Sequence, residues 1–371
     1  MPPRVLLTVV SVLLLGPFSA HIGRAEIAAD QAAAVVIFPY VFVDSANGSD
    51  TLLQLSNADT SGLDLQCFYE NLNGHCSDSF AICQRDDECA PTGICLAGYS
   101  ENNFRIHLTP GQPISWRASQ GAFPLPCDAA ASGPCGPGND FNTGFIPSPT
   151  EDPFTGVLRC IAVDGSDLPV ESNVIEGVAT IEHFQSSPAV RFDQAKYNAI
   201  CIRAIAGAGD GDPMLNIGGA AAEYDGCPGV TVVTHLFENA RAPATATSTV
   251  QTTLVLVPCS VDYVSQTPAT VSVLYTVFNE FEQRLSTTKQ FTGAQVLPLS
   301  GIHATLFDVA TQGTLSGQTR IRPFAGGGVF VLALERHTDD VDATLVSTAA
   351  VNPHHAGAQG SGDSIVLPFM P

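Results

Sequence analysis

Two glutamates have the spacing of an acid–base pair. Glu280 and Glu282 are two residues apart, so on a strand both carboxylates point to the same side. Paired carboxylates about 5–10 Å apart act as acid and base in glycoside hydrolysis. Arg284 would share that side, and a mixed run of charges usually faces water. The sequence therefore favours a solvated ion cluster over a catalytic pair.

Ser286 and Lys289 form a second candidate group. They match the Ser-x-x-Lys pattern of penicillin-interacting enzymes, in which the lysine is placed to activate the serine. The surrounding residues have a strand pattern, and the companion motifs Lys-Thr-Gly and Ser-Asp-Asn do not occur in the sequence. A pattern with two fixed positions arises easily by chance. An exposed strand end is the favoured interpretation, and no catalytic residue is assigned.

Three acidic loops, at 44–50, 164–167 and 210–212, carry the hard oxygen ligands that calcium prefers. None has the full twelve-residue calcium-loop spacing with a terminal glutamate. Asp, Asn and Gly are also ordinary turn formers, so a plain turn is the favoured interpretation of any single loop. No cofactor other than calcium is predicted. The metal candidates that the loops offer are Asp44, Asn47, Asp50, Asp164, Asp167, Asp210 and Asp212.

The elements that must position these residues are mostly strands. Short apolar or alternating runs are separated by turn residues at short spacing. This rhythm predicts β-sandwiches, not alternating βα units. The one candidate for a short helical turn is Asp193–Ala199. The predicted strands are 34–43, 51–56, 63–69, 104–108, 113–116, 157–163, 174–182, 200–205, 230–236, 252–257, 270–278, 285–291, 304–309, 314–321, 329–335, 343–351 and 364–368.

A weak internal repeat divides the chain. An apolar run ending in proline at 35–39 is followed by strands at 52–57 and from Leu63, and a similar order recurs at 254–258, 271–279 and from Leu285. Chance similarity between all-β segments is an equal alternative. We predict an all-β chain of two tandem antiparallel β-sandwich domains with immunoglobulin-like architecture. The domains are 26–240 and 251–371, with a linker at 241–250.

A Cys-rich, loop-rich insertion at 71–155 interrupts the first domain and holds six of the eleven cysteines. Its periodicity is weak, so disulfides are expected to replace a packed core there. Cys127 and Cys135 bracket a short loop and are predicted to bond each other. The other pairings do not follow from sequence, and the odd total predicts at least one thiol outside the intramolecular bridges.

The first 25 residues predict export. Arg4 precedes an apolar run at 5–15, which Gly16 and Pro17 end, and small residues follow at 23–25. This is the layout of a cleaved signal peptide, with an uncleaved anchor as the minor alternative. The predicted location is secreted or periplasmic. The net charge of −21 argues against nucleic acids and anionic membrane surfaces as partners.

These features favour an exported, non-catalytic binding or structural protein. Loops at sandwich ends, or the Cys-rich insertion, are the surfaces expected to engage a carbohydrate or a protein, since loops vary with little disturbance of the core. The alternative is a secreted hydrolase, either glycosidase-like through Glu280 and Glu282 or serine-dependent through Ser286 and Lys289.

Overall fold

The computed structural model of the chain describes residues 29, 31–83, 88–89, 92–96, 100–122, 145–185, 191–241, 248–341 and 346–368. Strands make up 60% of the structure and helices 4%, so the prediction of an all-β protein is confirmed. The predicted signal peptide, Cys127, Cys135 and the middle of the predicted linker lie outside the described residues.

The described residues form strands and a few very short helices. The helices are a 3₁₀ turn (Ser45–Asn47), α1 (Leu299–Ile302) and α2 (Val309–Gln312). The strands are β1 (Val35–Val43), β2 (Ser49–Asn57), β3 (Leu63–Asn71), β4 (Gly74–Cys76), β5 (Ile82–Cys83), β6 (Cys95–Leu96), β7 (Ser100–Leu108), β8 (Pro113–Arg117), β9 (Phe154–Val163), β10 (Ile175–Gln185), β11 (Arg191–Asn198), β12 (Ile200–Ile202), β13 (Met214–Ile217), β14 (Pro228–Leu236), β15 (Ser248–Pro258), β16 (Val261–Asp262), β17 (Thr270–Asn279), β18 (Arg284–Thr292), β19 (Gln295–Pro298), β20 (Ser316–Ala325), β21 (Val329–Asp339), β22 (Val346–Val351), β23 (His354–Ala358) and β24 (Asp363–Val366).

The larger sheets are antiparallel. Sheet 1 has the order β12-β1-β9-β3-β7 and sheet 2 the order β11-β10-β2-β8. Sheet 3 has the order β19-β15-β21-β22 and sheet 4 the order β18-β17-β20-β14-β23. Two small sheets have the orders β13-β24-β16 and β5-β4-β6, and β16 pairs with β24 in parallel.

Sheets 1 and 2 share one core with one face of sheet 3, and the opposite face of sheet 3 shares a second core with sheet 4. The alternation along β15 shows this: Leu254 and Leu256 pack into the core shared with sheet 4, whereas Val255 and Val257 pack into the core shared with sheets 1 and 2. Sheet 1 is covered on both faces, which explains why β1 is a continuous apolar run and not an alternating one. This packing is consistent with β-sandwiches.

Strand β14 precedes the predicted linker in the sequence. It nevertheless pairs with β20 and β23, which come from the second half of the chain. Sheet 4 therefore combines strands from both sides of the predicted boundary. The division into two domains stays a prediction.

Two local predictions are wrong. Asp193–Ala199 is not a helical turn, because residues to 198 form β11 against β10, with Ala195 and Tyr197 buried at a period of two. Residues 304–309 do not form a strand. They form a turn that leads into α2, where the Asp308 carboxylate accepts a hydrogen bond from the Ala310 amide at 2.8 Å.

The predicted use of disulfides is confirmed by four bridges among the described residues. Cys67–Cys160 joins the neighbouring strands β3 and β9 within sheet 1. Cys227–Cys259 joins the start of β14 to the end of β15, and Cys76–Cys89 and Cys83–Cys95 lie in the insertion. Cys201 is buried on β12, and its thiol donates to the Ala199 carbonyl oxygen at 3.6 Å.

Candidate binding surface

The small sheet β5-β4-β6 is held by covalent bonds. Its two disulfides join Cys76 to Cys89 and Cys83 to Cys95, and the register sets Cys76 opposite Cys95. The sheet is tight at Gly74, where a Cβ would lie 2.7 Å from the Cys95 sulfur. These bridges fix the backbone of a segment too small to bury a core of its own.

Four large apolar side chains are exposed on this small sheet and on the residues just before its strands β5 and β6. The register pairs His75 with Ile82 on one side and with Leu96 on the other, so the three side chains form one row across the strands. Ile94 precedes Leu96 by two residues and is also exposed. Phe80, in the turn before β5, is 81% exposed. The apolar face, as we call it, comprises Phe80, Ile82, Ile94 and Leu96.

Phe80 is held in an unusual backbone conformation. Its φ of 56° lies in the left-handed region, which bulky residues rarely adopt. The Phe80 amide donates to the Cys76 carbonyl oxygen at 2.9 Å, and the Cys76 amide donates to the Ala81 carbonyl oxygen at 2.8 Å. Such outliers cost on the order of 1–3 kcal/mol and cluster at ligand-binding sites. Among the described residues of the insertion, the most exposed aromatic ring is thus displayed from a tight, hydrogen-bonded turn.

Polar contacts fix the small sheet to the residues just before β9. The His75 Nε2 atom lies 2.9 Å from Glu151 Oε1, and the Asn73 side-chain amide donates to Glu151 Oε2 at 2.8 Å. Burial raises the pKa of Glu151, but hydrogen bonds from Asn73 and Asn71 and the charge of His75 outweigh it and hold that pKa below its ordinary value. The apolar face is therefore presented in a fixed orientation.

The first predicted calcium loop uses its carboxylates within the chain. Asp44 accepts hydrogen bonds from the Asn47 amide at 3.1 Å and from the Asn47 side chain at 2.7 Å, which caps the 3₁₀ turn. Asp50 accepts from the Thr51 amide at 2.8 Å and from the Ser119 hydroxyl. These are the contacts of turn-forming residues.

The second loop also faces internal donors. Asp164 accepts from the Ser166 amide at 2.7 Å, and Asp167 Oδ1 accepts from the Arg105 guanidinium at 2.6 Å. The positively charged guanidinium group of Arg105 therefore already neutralises part of the negative charge of this loop. The same guanidinium donates to Asp64 at 3.0 Å.

The third loop is built in the same way. Asp210 accepts from the Asp212 amide at 3.1 Å, and Asp212 accepts from the Met214 amide at 2.8 Å.

In the described part of the chain, two groups place three ligand atoms within 4.8 Å of one another. They are Cys76, Cys83 and Cys89, and Cys227, Cys259 and Asp363. Their cysteines are bonded in disulfides, and neither group includes a predicted calcium ligand. The calcium sites stay a prediction.

The hydrolase candidates are arranged differently from the sequence expectation. Glu280 and Glu282 lie in the hairpin turn between β17 and β18, so the same-side rule for strands does not apply to them. Glu280 accepts from the Ser316 hydroxyl at 2.7 Å and from the Ser316 amide at 3.0 Å. These bonds hold the pKa of Glu280 below its ordinary value, and the bond from the Ser316 hydroxyl has the larger effect.

Ser286 and Lys289 point to opposite faces of β18. They are three residues apart on a strand, with Ser286 opposite Thr276 and Lys289 opposite Val273. The Lys289 ammonium donates to the Gly301 carbonyl oxygen at 2.9 Å. This arrangement does not bring the amine to the hydroxyl.

Sequence reasoning selected the insertion for its cysteines but missed the apolar face. Strands of two or three residues are too short to show alternation. The available signal was an isoleucine or leucine beside each of Cys83 and Cys95, in a loop-like stretch without other reason to be apolar.

Trp116, in contrast, is a core residue. It is buried, and its indole N–H donates to the Tyr69 hydroxyl at 2.8 Å. It is therefore not available as a surface platform for sugars.

Comparison with known proteins assigns no family: no protein-family model matches the chain, and no curated protein matches it in sequence. Among the described residues, no helix has the length and apolar character needed to cross a membrane.

Proposed function

We propose that this chain is an exported, non-catalytic binding protein that engages a protein partner through the apolar face of its Cys-rich insertion. The observation that carries the proposal is the exposure of Phe80, Ile82, Ile94 and Leu96 on a disulfide-fixed sheet. Contiguous exposed apolar groups mark interaction sites, since burial against a partner removes them from water.

The chemistry of the face favours a protein over a sugar. Three of its four members are aliphatic, and only Phe80 offers a ring. Protein interfaces use such apolar anchors at their centres, surrounded by a polar rim. His75 and Glu151 would belong to that rim, since both side chains keep more than a fifth of their surface exposed.

Export is supported by the predicted signal peptide at 1–25 and by four disulfides, which persist in oxidising compartments. We propose a secreted or periplasmic location. We also propose that the stacked sheets represent two tandem immunoglobulin-like sandwiches, in which the insertion adds a binding module to the first.

The test compares capture of partners by variants of the purified mature chain. The double variant Phe80→Ser/Leu96→Ser removes two members of the apolar face, and Val341→Ser is the control because Val341 is 86% exposed outside the insertion. Extracellular and envelope fractions are passed over each immobilised protein, the retained partner is identified by mass spectrometry, and its affinity is then measured by calorimetry.

We expect the wild type and Val341→Ser to bind the same protein, and the double variant to bind it at least about tenfold more weakly, as loss of central anchors does. Equal affinity for all three proteins would contradict the proposal. Turnover of a glycan or ester substrate that Glu280→Gln or Ser286→Ala abolishes would instead favour the hydrolase alternative.

A further inference from the structure

The outer face of sheet 4 carries three exposed arginines, Arg284 on β18 and Arg320 and Arg322 on β20. The chain as a whole has only 15 basic residues against 36 acidic ones. In the part of the chain that the structure describes, the arginine ion pairs are formed by Arg105, Arg117, Arg159 and Arg241. The three arginines of sheet 4 are therefore positive charges without a carboxylate partner among the described residues.

The strand register places the three guanidinium groups on one side of the sheet. Phe278 lies opposite Arg284, Thr276 opposite Arg320, and Leu274 opposite Arg322. The alternate residues of β17, including Tyr275 and Val277, are buried in the core. The arginines consequently share the solvent side of sheet 4.

One arginine is positioned by an aromatic ring. The Arg320 guanidinium carbon lies 5.3 Å from the centre of the Phe278 ring, within the range of a cation–π contact. An open groove of about 400 Å³ runs beside this pair and is also lined by Thr234 and Gln318. Glu280 and Glu282 line its end at the hairpin turn, and Glu280 is bound to Ser316.

Hydroxyl and amide groups lie between the arginines, beside Phe278 and Leu274. Ser286 lies opposite Thr276, Thr288 lies opposite Leu274, and Gln318 lies opposite Thr234. Hydroxyl and amide side chains both donate and accept hydrogen bonds, as sugar hydroxyls require. Guanidinium groups bind carboxylates through paired, charge-assisted hydrogen bonds.

The spacing of the charges favours an extended ligand. Arg320 and Arg322 are two residues apart on one strand, roughly 7 Å. Arg284 lies two strands away and level with Gln318, so its backbone is roughly 12 Å from that of Arg320 and roughly 17 Å from that of Arg322. A single small anion cannot contact all three side chains at those separations. A chain that carries repeated carboxylates among hydroxyl groups can do so.

We propose that the outer face of sheet 4 binds a carboxylated polysaccharide, with Arg284, Arg320 and Arg322 holding its uronate groups and Phe278 and Gln318 contacting its sugar rings. The positive face complements the ligand charge, while the net charge of −21 repels polyanions elsewhere on the molecule. This site is separate from the apolar face and does not depend on the proposed function.

The experiment uses the purified mature chain and three polymers of matched length at low ionic strength: polygalacturonate, neutral dextran and poly-glutamate. The variants are Arg320→Gln, Arg320→Lys and Arg203→Gln. The last is the matched control, because it removes one charge from an exposed arginine that lies outside sheet 4. Melting temperatures confirm that each variant is folded.

We expect polygalacturonate to bind in a salt-sensitive manner, and dextran and poly-glutamate to bind at least about tenfold more weakly. Arg320→Gln should weaken the binding of polygalacturonate by about tenfold or more, which is the scale of a lost charged hydrogen bond. The affinity of Arg320→Lys for polygalacturonate should lie between those of the wild type and Arg320→Gln, because lysine keeps the charge but lacks the paired donors of a guanidinium group. Arg203→Gln should leave the affinity unchanged.

Four results would overturn the inference. One is the absence of binding to polygalacturonate, and another is equal weakening by Arg320→Gln and Arg203→Gln, which indicates non-specific charge attraction. The third is binding of poly-glutamate as tight as that of polygalacturonate, which would assign the face to an acidic peptide. The fourth is concentration-dependent self-association that Arg320→Gln abolishes, which would assign the face to a second copy of the chain.

Discussion

Arg159 of β9 and Glu70 of β3 form a buried ion pair, with 2.7 Å between Nε and Oε1 and side chains 1% and 4% exposed. The same guanidinium donates to the carbonyl oxygens of Cys259 at 3.1 Å and Pro258 at 2.8 Å, and the Tyr263 hydroxyl donates to Glu70 at 2.8 Å. Because Pro258 ends β15, this network joins sheet 1 to the second half of the chain.

Arg159→Met should lower the free energy of unfolding by about 3–5 kcal/mol, because it leaves the Glu70 carboxylate buried without its cation. Urea unfolding measures the loss. The double variant Arg159→Met/Glu70→Leu should recover part of it, since no charge then remains buried. A double variant as unstable as Arg159→Met would show that the contacts to the backbone carbonyls, and not the ion pair, account for the effect.

Glu101 should make the protein less stable as the pH rises. It lies directly opposite Glu70 on β7, and burial, then the charges of Glu70 and Asp262, raise the pKa of Glu101 to about 7 against a hydrogen bond from Gln266. Between about pH 4.5 and 7 the folded state holds this proton and the unfolded state has lost it, so the free energy of unfolding falls across that range.

The variant that tests this titration is Glu101→Gln, which cannot lose a proton. Its urea midpoint should exceed that of the wild type at pH 8, and the difference should shrink toward pH 5. Glu176→Gln, on the outer side of sheet 2, is the control and should show no such trend. A difference between Glu101→Gln and the wild type that stays constant from pH 5 to pH 8 would argue against a titrating Glu101.

The all-β class was predictable because its signal is local. Apolar runs and turn residues gave strands close to β1, β9, β15, β17 and β21. The order of strands within the sheets has no local signal, and β14 illustrates this, since its partners β20 and β23 lie far along the chain. The weak repeat likewise does not predict the order of strands. In the first half β1 and β3 lie in the same sheet, whereas the corresponding strands of the second half, β15 and β18, lie in sheets 3 and 4.

Local prediction failed where long-range packing determines conformation. The apolar residues at 304–309 include Phe307, which is fully buried and 5.8 Å from the His235 ring, so a turn and not a strand supplies this core contact. The apolar face was missed because its strands are held by disulfides and not by an alternating pattern. The three arginines of sheet 4 come together only once β17, β18 and β20 are known to be neighbours.

The bridge Cys67–Cys160 should stabilise the fold more than the bridges of the insertion do, because loop-closure entropy grows with the length of the closed loop. It closes a separation of 93 residues between two buried strands, whereas Cys76–Cys89 closes 13 residues. Cys67→Ala/Cys160→Ala should lower the free energy of unfolding by about 2–5 kcal/mol. We expect the small sheet of the insertion to unfold separately from the larger sheets, so in calorimetry the main transition should shift more for this variant than for Cys76→Ala/Cys89→Ala. Equal shifts for the two variants would mean that the insertion unfolds together with the sheets.

Removal of the Asp44 carboxylate should distinguish a plain turn from a calcium loop. As a cap of the 3₁₀ turn it accepts two hydrogen bonds from Asn47, so Asp44→Ala should lower the free energy of unfolding by about 0.5–2 kcal/mol. We expect the same loss in millimolar calcium and in chelator, because the cap needs no metal. If the loop binds calcium, the wild type must melt at a higher temperature with calcium than with chelator, and Asp44→Ala must abolish that difference. The melting temperatures of the two proteins in the two buffers therefore separate the interpretations.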